Sequence, residues 1–122
     1  MSRRDASGYD PRALASLDAF LSLDVRIGTI VSAELLKGAR RPAFALRIGL
    51  GDLGTRTASA EVTDLYDAQE LVGLQVAAVV NLPAQQVAGL VCEVMVLAAD
   101  NGRGVHALLI PEQPVPDGAR VV

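Results

Sequence analysis

The sequence has little of the chemistry that marks an enzyme or a metalloprotein. It contains one cysteine, Cys92, and one histidine, His106. An internal disulfide is therefore excluded, and the two side chains together fall short of the ligand sets of structural zinc sites. A lone thiol fits a reducing, cytoplasmic setting. No Gly-x-Ser-x-Gly elbow occurs, and no motif would bring His106 and an orienting acid to Ser59. The sequence therefore assigns no catalytic residue, no cofactor and no metal site. Asp64, Asp67 and Glu70 recur at helical spacing, and read as solvated charges on a helix face rather than ligands.

Aromatic residues are scarce too. Tryptophan is absent, and only Tyr9, Phe20, Phe44 and Tyr66 carry rings. The core must then be built from Val, Leu, Ile and Ala, and there is no platform on which successive bases would stack.

Positive charge is in deficit: 11 Lys and Arg against 14 Asp and Glu give a net charge of −3. That excludes holding nucleic acid by bulk electrostatics, so any RNA binding must use a local patch. Long apolar runs are missing as well. No stretch approaches the roughly 18 consecutive apolar residues that span a bilayer, and Arg3-Arg4 is followed by polar residues rather than by the apolar region of an export signal. The expectation is a soluble cytoplasmic protein without membrane insertion.

What the chain does have is aliphatic mass: 51% of its 122 residues are hydrophobic. The length suits one domain, since domains commonly run from about 50 to 250 residues. The apolar fraction exceeds what one small domain hides, and large apolar patches are rare on monomers. A homodimer is expected.

Residues 1–12 lack periodicity and read as a disordered tail or appended remnant, leaving 13–122 as the folded unit. Leu14, Leu17 and Phe20 suggest a short amphipathic helix lying against the domain. Residues 25–35 alternate as a strand, with Val25, Ile27, Val31 and Leu35 on one face. Gly28 suits a bend of the kind small barrels need. A basic loop, Lys37 to Pro42, leads to a second strand with Phe44, Leu46, Ile48 and Leu50 inward. A third strand covers 55–62, and a short helix is expected over 64–71, capped by Thr63 or Asp64. Residues 75–80 suit a strand buried on both faces, ended by Asn81-Leu82-Pro83. A fifth strand is expected over 91–99, a turn at Asp100-Asn101-Gly102, and a sixth short strand over 105–110. Pro111, Pro114 and Pro116 then space out an arm that packs on the domain or on a partner subunit. Five or six short strands with one helix between the third and fourth is the layout of an OB barrel, an all-β fold with a small α component. The alternation also allows another small β-barrel.

Three stretches narrow that choice: Leu23-Asp24-Val25-Arg26-Ile27-Gly28-Thr29-Ile30; Ala58-Ser59-Ala60-Glu61-Val62; and Val79-Val80-Asn81-Leu82-Pro83, followed by Ala88-Gly89-Leu90 and Glu93-Val94-Met95-Val96-Leu97. In this order they resemble the tRNA-binding-domain family, and within it the branch of bacterial secretion chaperones. The resemblance runs from about Phe20 to the Pro-Val-Pro-Asp-Gly segment at 114–118. It implies a five-stranded OB barrel, N- and C-terminal extensions at a dimer interface, no catalytic activity, binding of tRNA, and for the chaperone branch binding of unfolded or presecretory polypeptides. Two departures stand out: Gln85-Gln86 where a basic pair is usual, and Cys92 where a serine is usual. The lost charges would weaken RNA binding.

Candidate RNA-binding residues are Lys37, Arg40 and Arg41 in the basic loop, with Arg56 expected beside that loop by strand-to-strand proximity, Ser59 and Glu61 on one face of the third strand, and Asn81 at the end of the fourth. OB folds use the second and third strands for such contacts. The scarcity of rings favours a shape-and-phosphate mode, as for folded tRNA. The same cations serve equally as solvated charge that keeps an apolar domain soluble, and the Asn81 amide reads first as an organiser of the 82–89 turn and only second as a ligand contact. Candidate polypeptide-binding residues are Leu82, Val87, Leu90 and Val91, which otherwise bury one another.

Overall fold

The computed structural model describes residues 10–122. The tail assigned to 1–12 therefore lies mostly outside the described residues. Its last part is a turn in which Ala13 N donates to the Asp10 carbonyl (3.1 Å) and Arg12 N to the Asp10 carboxylate (2.9 Å).

The barrel grows from an antiparallel meander of β1 (Val25–Leu35), β2 (Phe44–Gly49) and β3 (Thr55–Ala60). A single 3-10 turn, Gly51–Leu53, joins β2 to β3. β1 also pairs with β4 (Gln75–Val79), and β4 with the short β7 (Met95–Val96), giving the order β3-β2-β1-β4-β7. The remaining seam, between β3 and the chain before β7, is bridged where Glu93 N and Val94 N both donate to the Thr57 carbonyl (2.8 and 3.2 Å). The result is a nearly closed five-stranded OB barrel, as the element order implied.

Its interior follows from side-chain period. Leu46, Ile48 and Leu50 from β2 and its end, Ala58 from β3, and Val76 and Ala78 from β4 point inward and are fully buried. Each such Leu or Ile contributes about 1.5–3 kcal/mol. β4 is buried on both faces: Val76 and Ala78 join the interior cluster, while Ala77 and Val79 pack outside it with Val25 and Ile27.

β1 departs from the expected facing. A bulge between Ile30 and Ser32 shifts the register against β2. Ile30 is fully buried in the interior, while Val31 and Leu35 are 48% and 65% exposed. Val25 and Ile27 face the outer cluster instead, so no single face of β1 carries all the apolar residues. The extra residue of a bulge reverses which side chains face in. Gly28 is a point of close approach: a Cβ there would sit 2.6 Å from Leu50 Cδ2 and 2.7 Å from Ile48 Cγ2.

The helices are shorter than their patterns suggested. α1 (Leu17–Leu21) is capped by Ser16, whose Oγ accepts from Ala19 N (3.0 Å). It buries none of its residues, contrary to the expected packing against the domain. α2 (Ala68–Leu71) is one turn, capped by Asp67 rather than Thr63 or Asp64. Asp67 and Glu70 form a reciprocal capping box (2.9 and 3.1 Å), which commits both carboxylates to backbone N–H groups. Residues 62–66 turn first, and Tyr66, expected in the helix, packs on the core with its hydroxyl accepting from Leu108 N (3.1 Å).

The expected fifth strand is broken up. β5 (Gln85–Val87) and β6 (Leu90–Cys92) form a hairpin outside the barrel sheet, β7 completes the barrel, and β8 (Ala98–Asp100) pairs with β9 (His106–Leu108). The β5–β6 turn is Ala88-Gly89, both with positive φ (49° and 84°), the conformation that matches strand twist in a tight hairpin. The C-terminal arm packs on its own domain. Gly118 N donates to the Ile27 carbonyl (2.7 Å), Ile27 N to Ala119 (2.8 Å) and Val121 N to Val25 (2.8 Å), while the Gln75 side-chain amide holds Val115 through both its oxygen and its nitrogen.

Candidate nucleic-acid interface

The outer face of β2 and β3 carries the side chains that alternate with the core residues. Register sets Ala45 beside Ser59 and Arg47 beside Thr57. The basic loop enters at the Phe44–Ala60 end of this pair, so it borders the end of β3 nearest Glu61. The β5–β6 hairpin lies across the same face. It is tied down where Thr57 Oγ1 donates to the Val91 carbonyl.

Between loop and hairpin is an open cleft of about 420 Å³ lined by Gly38, Arg40, Arg41, Ser59, Glu61 and Gln86, with Ala39, Ala43, Val87 and Ala88 filling its walls. Four predicted RNA-binding residues, Arg40, Arg41, Ser59 and Glu61, thus meet in one depression. Arg41 Nη1 lies 3.6 Å from Glu61 Oε1 with both side chains well exposed. Such a pair contributes at most about 1 kcal/mol, so either group exchanges readily to a ligand. Lys37 precedes this lining on the exposed loop and is not part of it.

Arg56 does not join the loop as expected. It pairs with Ile48, four residues up β3 from Ala60, which is about 13 Å at strand rise. It shares the parity of Ala58 rather than Ser59, and its Nε donates to the Leu53 carbonyl (3.1 Å). Asn81 organises a different segment from the one expected. Its Oδ1 accepts from Asp24 N and its Nδ2 donates to the Ser22 carbonyl (both 2.8 Å). Its amide therefore stitches the entry of β1 to the exit of β4.

A second, smaller cleft of about 150 Å³ adjoins the first. Its lining includes Leu82, Pro83, Val87, Cys92, Val94 and Met95, and it shares Ser59 and Val87 with the larger cleft. Of the predicted polypeptide-binding set, Leu82 and Val87 are brought together here. Leu90 and Val91 lie on β6 outside the lining, with Val91 exposed.

Three carboxylates are held below their ordinary range, one of them at the seam. The Thr57 backbone N–H, followed by its hydroxyl proton shared with the Val91 carbonyl, holds the Glu93 carboxyl below the usual range, with Arg56 adding a smaller effect in the same direction. The Arg26 guanidinium, 2.6 Å from Asp24, lowers that carboxyl and is itself raised. Backbone N–H groups of Gly102 and Gly104, with His106 at 3.0 Å, lower Asp100. Among the described residues no cluster of three His, Cys, Asp or Glu is poised for a metal ion, and no helix is long and apolar enough to cross a membrane. Sequence reasoning missed Gln86 and Ala88 as cleft residues. The signal was available in Ala88-Gly89, set between Gln85-Gln86-Val87 and Leu90-Val91-Cys92, since a residue-Gly pair between such runs marks a hairpin.

A nearly closed OB barrel with a cation-bordered cleft at the end of its third strand places the chain in the oligonucleotide-binding fold class. The family described as "Putative tRNA binding domain" matches residues 25–120, and the chain belongs to this tRNA-binding-domain family. Among solved structures it is similar to the chaperone CsaA of Bacillus anthracis str. Ames, at 43% identity and a TM-score of 0.87, covering 90% of this chain and 100% of that one. The CsaA chaperone protein of Picrophilus torridus is similar at 33% identity and a TM-score of 0.83, covering 89% and 100%. Methionine--tRNA ligase of Bacteroides fragilis is 34% identical over 111 residues, covering 90% of this chain but 16% of the ligase. The chain thus spans about one-sixth of the length of such curated relatives.

Proposed function

We propose that this chain is a non-enzymatic RNA-binding module that docks folded tRNA on the outer face of β2 and β3, acting in the cytoplasm as a homodimer. The observation that carries the reading is the meeting of Arg40, Arg41, Ser59 and Glu61 in one open cleft on the face that OB folds use for oligonucleotides. Family membership gives the same direction. With few cations and no exposed ring in the cleft, affinity rests mainly on shape and local phosphate contacts. Asn81 and Arg56 hold the module's frame, and Lys37 extends the basic rim.

The test is titration with unfractionated tRNA at low and at physiological salt, with double-stranded DNA as competitor. Saturable, tRNA-preferring binding that falls with salt is expected. In Arg40→Glu/Arg41→Glu the affinity falls at least about tenfold and the salt slope flattens by about two. Tight binding that survives this charge reversal rejects the site.

The adjoining apolar cleft supports a second activity, the holding of unfolded or presecretory polypeptide segments against Leu82, Val87, Val94 and Met95. Similarity to proteins that bear the name chaperone is consistent with it. Suppression of client aggregation by the protein, unchanged in Arg40→Glu/Arg41→Glu, is expected. No protection of several denatured clients rejects it.

A further inference from the structure

A carboxylate in the middle of a phosphate-binding face requires a reason. Glu61 lines the same cleft as Arg40 and Arg41, shares the outer face of the chain with Ser59, and reaches Arg41 at 3.6 Å while staying exposed. Toward a phosphate it is repulsive, and its charge offsets part of the attraction that Arg40 and Arg41 offer. An affinity built on phosphate alone would be better without it. A carboxylate is useful where the ligand presents N–H donors in place of phosphate oxygens.

Resting on the reading that this cleft binds RNA, we infer that Glu61 is a specificity residue that accepts the Watson–Crick edge of an unpaired guanine. Guanine alone among the common bases sets two kinds of donor side by side on that edge, N1–H and N2–H, which match the two oxygens of one carboxylate. Adenine and cytosine offer a single exocyclic amine, and uracil a single imide N–H. The adjoining guanine O6 needs a donor, and the Ser59 hydroxyl and the Gln86 amide belong to the same lining. With no ring in that lining, a guanidinium plane of Arg40 or Arg41 supplies the stacking surface, as arginine does for unstacked RNA bases. The same carboxylate acts against wrong partners: duplex DNA brings phosphates and no free Watson–Crick edge, so Glu61 repels it without return. Discrimination and weakened bulk attraction then have one source.

The experiment uses fluorescence anisotropy with short unstructured oligoadenosines carrying guanosine, inosine or adenosine at the centre, and duplex DNA as a fourth probe. The wild-type chain is expected to prefer guanosine over adenosine by about tenfold, with inosine, which lacks N2–H, between them. In Glu61→Gln the guanosine preference falls below about twofold while duplex DNA binds more tightly. A residue that only shaped the cleft would shift all four probes together. Equal binding of the three oligomers by the wild-type chain overturns the inference, as does a guanosine preference that survives Glu61→Gln. If unfractionated tRNA fails to bind at all, the RNA reading itself falls; if tRNA binds without guanosine preference, only this inference does.

Discussion

Glu93 closes the barrel on Thr57 from three directions. Its own N–H donates to the Thr57 carbonyl (2.8 Å), and one carboxylate oxygen accepts from Thr57 N (3.1 Å) and shares the single Thr57 hydroxyl proton with the Val91 carbonyl. The seam between β3 and the chain before β7 is therefore a side-chain clasp as much as a backbone ladder. Because the clasp lowers the Glu93 pKa from 4.5, its stabilisation is present in full above that unfolded value and is lost as pH falls through the folded one. Thermal melts followed by circular dichroism should show the melting temperature dropping on acidification in that window. Glu93→Ala should lose about 1–3 kcal/mol at neutral pH and show a shallower acid decline. An unchanged acid limb in Glu93→Ala contradicts the clasp.

Gly28 leaves no room for a methyl group, since its Cβ would lie within 2.8 Å of Leu50, Ile48 and the Gly49 carbonyl. Gly28→Ala should destabilise the chain by about 1–3 kcal/mol through overpacking, read as a shift of the urea midpoint. A neutral substitution would mean that β1 and β2 separate more easily than their register indicates.

Asn81 joins Ser22 and Asp24 across the outside of the barrel. Asn81→Ala should cost about 1–2 kcal/mol and raise amide exchange at residue 24 above that of the barrel strands. If instead stability holds and only tRNA affinity falls, the side chain is a ligand contact.

Leu14, Leu17, Phe20 and Leu21 are between 47% and 89% exposed in the single chain. That face, unpartnered within the described chain, is the surface on which the proposed dimer depends. Sedimentation at micromolar concentration should give a dimer mass, and Leu17→Asp/Phe20→Asp should give a monomer with an unchanged far-ultraviolet spectrum. A monomeric wild-type chain rejects the dimer.

Much of this was legible in the residues. The β2 alternation of Phe44, Leu46 and Ile48 has a period of two and no interruption, so its inward face follows directly from the pleat. The run at 76–79 is apolar on both parities, and is buried on both sides accordingly. β1 is different: its apolar residues satisfy one face on paper, but a bulge at Val31 leaves Val25 and Ile27 on the outer cluster while Ala33 turns to the interior, with Ile30 buried there on the opposite parity. The residues 91–99 read as one strand because nothing in them marks the points where pairing passes from β5 to β4 and then to β9. Arg56 looked like a neighbour of the basic loop because strand number was read without register.

A small aliphatic β-barrel with one short helix in its middle and a basic loop before its second strand follows from residue order alone. Periodicity and turn chemistry are local, and local patterns survive in a linear reading. Only the tertiary structure decided that Arg40, Arg41, Ser59 and Glu61 share a cleft and that Asn81 and Arg56 are turned to structural use. Those outcomes depend on strand register, on a bulge and on where a hairpin lies across the barrel. Each is fixed by pairings between segments distant in sequence, whose energies no single segment contains.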